Sequence, residues 1–227
     1  MKRGGAVANG RKSARNGAGR GPRSRPSGPL ELAARAVLRE ASRAMARVEQ
    51  TGARSVASAA EAIIACFESG GTVYFCGNGG SAADAQHLAC EFAGRYLVDR
   101  PGLAAVALTT NTSSLTAIGN DFGFDHVYSR QLEGVASPGD VLVALTTSGG
   151  SANVLRAVET AHALGMTVIG FTGLKGRRFA ALCDHALVSP HASTPRVQEG
   201  HIAMGHAVCQ LVEQGLFPPR RGKGGSR

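Results

Sequence analysis

The chain has few aromatic side chains, no tryptophan and no long apolar run. Phe, Tyr and Trp make up 5% of its 227 residues, and Trp is absent. No stretch approaches the roughly 20 consecutive apolar residues that span a bilayer, so we expect no membrane association. Single-stranded nucleic acids are commonly bound by base stacking on aromatic rings, so the scarcity of such rings argues against that kind of partner.

The sequence also lacks a cysteine pattern typical of disulfides or CxxC motifs. The five cysteines (Cys66, Cys76, Cys90, Cys183 and Cys209) are odd in number, contain no CxxC pair and lie mostly in apolar segments. This pattern predicts buried, reduced thiols rather than a disulfide framework. No apolar core of a signal peptide follows the N-terminus, and we therefore expect a cytoplasmic protein.

Acidic residues are absent from both ends of the chain. The net charge is +9, but eight basic residues precede Glu31 and four follow Pro219. The remaining 13 basic and 16 acidic residues give the body a charge of about −3. Residues 1–28 and 218–227 are predicted to be disordered basic tails around one domain at 29–217. Their binding to nucleic acid would be non-specific, so nucleic acid is not an expected partner.

Apolar residues recur at helical and at strand spacing along the predicted domain. Two helices, at 30–50 and 55–67, are predicted to come first. Strands are then predicted at 71–76, 103–108, 140–145, 166–172 and 185–188, with helices at 82–97, after the second strand, at 152–164 and at 195–216. Strands that alternate with helices indicate an α/β fold with a doubly wound parallel sheet.

Two glycine-rich turns each follow a predicted strand and precede a predicted helix. The first turn is GNGGS at 77–81, and the second turn is TTSGGS at 146–151. Ligands of parallel sheets bind at such turns, and glycines with hydroxyl groups at a helix N-terminus suit a phosphate. One such turn alone is equally well explained as a tight turn, but two in equivalent positions favour phosphate binding. Neither has the Walker lysine or the GxGxxG pattern, which favours a phosphate monoester.

Four segments in combination resemble a known family: CGNGGSAADAQHLACEFAGRY, IGNDFGF, TTSGGSANV and TPRVQEGHIAMGH. They are similar to the sedoheptulose 7-phosphate isomerases of the sugar isomerase (SIS) domain superfamily, over about residues 30–217. The resemblance implies a flavodoxin-like sheet and a homotetramer with active sites at subunit interfaces. It also implies conversion of D-sedoheptulose 7-phosphate into D-glycero-D-manno-heptose 7-phosphate, in heptose synthesis for lipopolysaccharide or capsule.

The resemblance assigns roles to individual residues. Glu91 and His206 match the acid–base pair of the family. A metal cluster that holds zinc in some members is matched by His87, Glu91, Gln198 and His206. The substrate contacts are matched by Asn78, Gly79, Gly80, Ser81, Glu91, Asn111, Thr146, Thr147, Ser148, Ser151 and Gln198. Asn111 stands where relatives often carry Asp.

Reaction chemistry points to the same residue types. Moving a proton between C1 and C2 of a sugar requires a base, an acid and stabilisation of an enediolate. His87 and Glu91 lie four residues apart on one predicted helix, so both can face one cleft, and Gln198 and His206 lie eight apart on the last. Two His, one Glu and one Gln oxygen would form a credible zinc site. We expect Glu91 to act as base and His206 as acid.

Alternatives remain open from the sequence. Glu199 and His201 on the last predicted helix are rival candidates, and His87 with Glu91 alone would be no more than a solvated ion pair. A different class of protein is a non-catalytic SIS-domain module that binds a phosphosugar, as the replication-initiation regulators of the superfamily do. Such a module would not need the complete set of catalytic and metal-binding residues.

Overall fold

The computed structural model describes residues 28–218. The chain divides into two compact units, residues 1–36 and residues 37–227. Of the first unit only 28–36 are described, and 29–36 belong to helix α1 (Pro29–Glu68). Apart from Gly28 and Pro218, the predicted basic tails lie outside the described residues. Their disorder and the limits of the domain therefore remain predictions.

The second unit is built on five parallel strands. They are β1 (Val73–Gly77), β2 (Ala105–Ala107), β3 (Val141–Leu145), β4 (Thr167–Gly173) and β5 (His185–Ser189). Their order across the sheet is β2-β1-β3-β4-β5, and every pairing is parallel. The central strands read as nearly continuous apolar runs because helices cover both faces of such a sheet. The predicted α/β fold with a parallel sheet is confirmed.

Helices connect the strands and form two layers. They are α2 (Gly80–Ala93), α3 (Thr112–Phe122), α4 (Ser129–Val135), α5 (Ala152–Ala163), α6 (Arg177–Ala180) and α7 (Thr194–Leu216). One apolar core packs α1, α2 and α7 against Phe75, and the other packs α4 and α5 against Tyr74. Neighbouring residues of one strand thus face opposite layers. Within residues 28–218, the helices are too short or too polar to cross a membrane.

The prediction of two N-terminal helices is wrong. The segments 30–50 and 55–67 belong to the single helix α1, which continues through Gly52. Glycine in a helix costs about 1 kcal/mol relative to alanine, but the helix continues through Gly52, where a Cβ would lie at contact distance, 3.4 Å, from the sulfur of Met204 on α7. Helix α2 is also shorter than predicted and ends at Ala93 rather than near residue 97.

Candidate active site

The two glycine-rich turns leave the sheet side by side. Their strands β1 and β3 are neighbours, and Gly77 pairs with Leu145 in register. Helices α2 and α5 begin directly after the turns. Both helices therefore direct their N-termini, which favour anions, to the same carboxyl edge of the sheet. We call the two turns together the turn edge.

A pair of amide side chains joins the two turns. Asn78 donates to Asn153 Oδ1 at 2.8 Å, and Asn153 donates back to Asn78 Oδ1 at 2.9 Å. The hydroxyl of Tyr128 donates to the carbonyl of Gly77 and, at 3.3 Å, to Asn78 Oδ1. Burial raises the pKa of Tyr128, so the hydroxyl remains a donor. Asn78, expected to contact substrate, thus has its side chain engaged within the protein.

Asn153 and Tyr128 were not predicted from the sequence as part of the site. Asn153 is 2% exposed on helix α5, between apolar side chains. A buried amide needs hydrogen-bond partners, and its position two residues after the second turn was the available signal. Tyr128 carried no comparable signal, because its contact with the first turn depends on how the segment before α4 packs against β1.

The first turn makes close contact with helix α7. Gly79 has φ of +56°, which favours glycine, and Ser81 is buried. A Cβ on Gly80 would collide with the amide nitrogen of Gln198. The predicted contacts Asn78, Gly79, Gly80 and Ser81 therefore lie together, with Gln198 beside them.

Hydroxyl groups fill the second turn. Thr146 Oγ1 lies 3.2 Å from Ser151 Oγ and accepts a hydrogen bond from Gly149 N at 3.2 Å. Ser148 Oγ accepts from Gly150 N at 3.4 Å, and the carbonyl of Thr147 accepts from Gly173 N on β4. The four predicted hydroxyl residues of this turn thus surround one short loop, and all of them are neutral.

Asn111 lies after the neighbouring strand β2. It is exposed, and its side chain caps helix α3 by accepting a hydrogen bond from Ser114 N at 3.0 Å. Such a cap accounts for the residue type without any ligand. Its predicted contact with substrate remains a prediction.

Three titratable side chains meet between helices α2 and α7. His87 Nε2 lies 3.4 Å from Glu91 Oε1 and 2.8 Å from His206 Nε2. One of the two ring nitrogens must carry the hydrogen of the shorter contact. The ring of Tyr96 lies 5.7 Å from that of His206, centroid to centroid. We call His87, Glu91 and His206 the acid–base cluster.

The two rival candidates lie elsewhere. His201 is fully buried, with its ring 5.8 Å from that of Phe171, and its two ring nitrogens have no hydrogen-bond partner among the described residues. Burial lowers its pKa to about 4, so the ring is neutral near pH 7. Glu199 forms an ion pair with Arg196 at 2.7 Å. Neither residue belongs to the acid–base cluster.

The turn edge and the acid–base cluster are separate places in one chain. Glu91 follows Gly80 by eleven residues on helix α2, which is about 16 Å at 1.5 Å per residue. Likewise Gln198 precedes His206 by eight residues on α7, about 12 Å. Gln198 contacts Gly80 while His206 contacts His87. The structure therefore brings together three members of the predicted zinc set and leaves Gln198 at the turn edge.

The donor atoms of the cluster suit a zinc ion. Ligand atoms of His87, Cys90 and Glu91 lie within 4.8 Å of one another, and zinc takes nitrogen, sulfur and oxygen ligands. Two tetrahedral ligands about 2.0 Å from zinc lie roughly 3.3 Å apart, close to the 3.4 Å between His87 and Glu91. His87 and His206 would need to separate by about half an ångström to share the ion. Cys90 was not among the predicted ligands.

The chain is similar to a known domain family and to named isomerases. The SIS domain family matches residues 37–173. The phosphoheptose isomerase of Rhodospirillum rubrum is 57% identical over 164 residues, which are 72% of this chain and 87% of that protein. That of Burkholderia pseudomallei (strain K96243) is 51% identical over 182 residues, 79% of this chain and 92% of its own.

Solved structures show the same similarity to phosphoheptose isomerases. The phosphoheptose isomerase from Neisseria gonorrhoeae superimposes with a TM-score of 0.77 at 46% identity, covering 82% of this chain and 99% of its own. The chain therefore belongs to the SIS domain family and, within it, to the phosphoheptose isomerases. This membership makes it an isomerase and disfavours the non-catalytic regulatory module.

Proposed function

We propose that the chain converts D-sedoheptulose 7-phosphate into D-glycero-D-manno-heptose 7-phosphate, the first step of nucleotide-activated heptose synthesis for lipopolysaccharide or capsule. The observation that carries the proposal is the acid–base cluster, in which Glu91 and His206 both lie next to His87. The named relatives support the choice of substrate.

The cluster supplies the groups that an enediol mechanism needs. Glu91 removes a proton from C1 of the ketose, and His206 donates a proton to the oxygen on C2, which gives an enediol. Removal of the proton from the oxygen on C1 and delivery of a proton to C2 then produce the aldose. His87 contacts both residues and holds their relative positions.

The turn edge is the proposed phosphate site. Its hydroxyl groups on Ser81, Thr146, Ser148 and Ser151, with Thr147, are neutral donors at the start of two helices. A phosphate monoester gains from these helix N-termini without a bound cation. Gln198 and Asn111, both near this edge, are the proposed contacts to the sugar.

The length of the substrate favours a site shared between subunits. Extended chains advance roughly 1.2 Å per bond, so the eight bonds from C1 to phosphorus span about 10 Å. This is shorter than the separation of about 16 Å between the backbones of Gly80 and Glu91 along helix α2. We infer that the turn edge of one subunit works with the acid–base cluster of another.

An apolar groove on the surface is suited to such a contact. It runs between α1 and α7 and is lined by Met45, Val48, Val56, Met204 and Leu211, among others. Apolar surface of this kind is normally covered by another subunit. This supports the homotetramer that we propose, with active sites at its interfaces.

Zinc is the proposed cofactor, held by His87, Glu91 and His206, and the proton transfers then use the atoms that do not bind the ion, the second carboxylate oxygen of Glu91 and Nδ1 of His206. When bound, it would supply positive charge that polarises the carbonyl group of the sugar. Gln198 can complete the predicted set only from a neighbouring subunit, because it lies about 12 Å along α7 from His206. The cytoplasm is the proposed location, since all five cysteines are free and such thiols persist in a reducing compartment.

The proposal is tested by following the sugar directly. Purified protein is incubated with sedoheptulose 7-phosphate, and aldose formation is followed by NMR before and after chelation and after addition of zinc. Glu91→Gln and His206→Ala should each lower kcat by about a thousandfold, as expected for loss of acid–base catalysis. The exposed Glu133, paired with Arg130, offers Glu133→Gln as a control with unchanged kcat. Wild-type protein that binds the sugar phosphate without turnover would instead support the regulatory module.

A further inference from the structure

One buried guanidinium holds the C-terminal end of helix α2. The Arg100 side chain is 1% exposed. Its Nη2 donates to the carbonyl of Glu91 at 2.8 Å, and its Nη1 donates to the carbonyls of Phe92 at 2.9 Å and Gly94 at 3.3 Å. Carbonyls at a helix end lack partners within the helix, and positive charge is favourable there. Arg100 therefore fixes the backbone that carries Glu91.

The partner of Arg100 is a carboxylate on helix α7. The Glu213 side chain is 5% exposed, and its Oε2 accepts from Arg100 Nε at 3.0 Å. Glu213 also accepts from the backbone N–H groups of Tyr96, Leu97 and Val98 at 2.7–3.1 Å. Burial alone raises the pKa of Glu213, but these N–H groups and the guanidinium bring it below its usual value. The carboxylate is thus ionised and fully engaged.

The ion pair connects the backbone of Glu91 with the helix that carries His206. Glu213 lies seven residues, about two turns, after His206 on the same face of α7. The loop at 94–101, which it binds, carries Tyr96, whose ring lies beside that of His206. The same ion pair therefore fixes the backbone of Glu91, the helix of His206 and the aromatic neighbour of His206.

We propose that Arg100 and Glu213 are positioning residues that set the relative placement of Glu91 and His206. The expected effect on kcat rests on the proposed isomerase function. The expected effect on the placement of Glu91 and His206 does not. A pair with this role differs from an exposed pair such as Arg130 with Glu133, whose side chains are 46% and 45% exposed. Exposed pairs contribute little, whereas loss of one partner of a buried pair leaves an unpaired charge in the interior.

The first test is the kinetics of Glu213→Gln. The amide keeps the shape of the side chain but loses the charge that binds the N–H groups of 96–98. We expect kcat to fall about tenfold or more, because small displacements of catalytic groups are costly. KM should change less than about twofold, since the phosphate end of the substrate binds at the turn edge, away from this loop.

Asp140→Asn is the matched control. Asp140 is also buried, at 5% exposure, and accepts backbone hydrogen bonds from Thr72 and Ser137 at 2.8 Å each. It should lose thermal stability as Glu213→Gln does, yet keep its kcat, when both are assayed at a temperature where circular dichroism shows them folded. Equal loss of kcat in the two variants would reduce the role of Glu213 to general stability and overturn the proposal.

A second measurement is independent of turnover. In protein with 13C-labelled histidine, the His206 imidazole signals are assigned by their loss in His206→Ala. Release of the 94–101 loop should remove the ring-current shift that Tyr96 imposes on His206 in Glu213→Gln but not in Asp140→Asn. Unchanged signals with unchanged kcat would contradict the proposal. An inactive wild type would contradict only the proposed function, and the imidazole signals would still decide the geometry.

Arg100→Lys tests the same proposal if the Glu213→Gln variant does not fold. Lysine keeps the buried charge but cannot donate to Glu213 and to four carbonyls, which include that of Pro101, at once, because it lacks the forked guanidinium. We expect kcat to fall while KM changes little, and we expect the His206 signals to shift as they do in Glu213→Gln. A Lys variant with wild-type kcat and wild-type imidazole signals would overturn the inference.

Discussion

The turn edge and the acid–base cluster are built in opposite ways. Residues 77–81 and 146–151 contain no charged side chain and are placed by the register of two adjacent strands. The acid–base cluster consists of three titratable side chains on two helices, and its geometry depends on how α2 packs against α7. The proposed phosphate site is thus placed by local sequence, whereas the proposed acid–base groups are brought together by contacts distant along the chain.

The sharpest test of this separation is to mix subunits that are damaged in different regions. Ser148→Ala with Ser151→Ala impairs the turn edge, and Glu91→Gln impairs the cluster. If each site takes its two regions from different subunits, random mixing after unfolding and refolding restores about a quarter of wild-type activity. Mixing Glu91→Gln with His206→Ala, both in one cluster, should restore far less. Recovery that never exceeds the sum of the separate variants would place the whole site within one chain.

A smaller effect is expected from Gly80→Ala. The new methyl group displaces Gln198 from the first turn, because a Cβ there collides with its amide. We expect KM to rise about tenfold with a smaller change in kcat, as for an interaction made mainly in substrate binding. Gly134→Ala is the control, since a Cβ at that exposed helical position meets nothing within 4 Å. A fall in kcat at unchanged KM would contradict the assignment of the turn edge to binding.

The smallest expected effect concerns the stretch of α7 that joins the two regions. His201 lies between Gln198 and His206, and burial lowers its pKa to about 4. Because the unfolded chain binds this proton near pH 6.5, the stability of the folded protein falls as the pH drops from 6.5 towards 4, by up to about 3 kcal/mol. His201→Phe should flatten this part of the pH dependence in urea unfolding, whereas replacement of the exposed His162 should not. An unchanged slope would show that His201 is not a buried neutral ring.

Most of the fold could be predicted from periodicity. The strands were located because each is a short apolar run bounded by turn residues, and the glycine-rich turns showed where strands give way to helices. The single long α1 was missed because Gly52 looks like a break, whereas it is a buried position inside the helix, next to Met204 of α7. Local sequence does not distinguish these two uses of glycine.

The site was predicted only in part, for a physical reason. Spacing on a helix brings His87 to Glu91, but the contact of His206 with His87 arises from packing between helices distant in sequence. The division between Gln198 and His206 follows from helix rise and could have been noticed from the eight-residue spacing. The roles of Arg100 and Glu213 could not have been predicted from the sequence. Their partners are mostly backbone groups, several of them in a loop that looked helical.

The paired amides of Asn78 and Asn153 also bear on how the protein ages. Asn78 precedes Gly79, and an asparagine before glycine readily deamidates when the next backbone nitrogen can attack its side-chain carbonyl group. In the folded chain, Asn153 and Tyr128 hold that side chain in a fixed orientation. Conversion to aspartate would remove the donor that binds Asn153 Oδ1 and place a negative charge where the phosphate is proposed to bind. Intact folding therefore protects this position chemically, and deamidation of Asn78 should increase in molecules that have partly unfolded during storage.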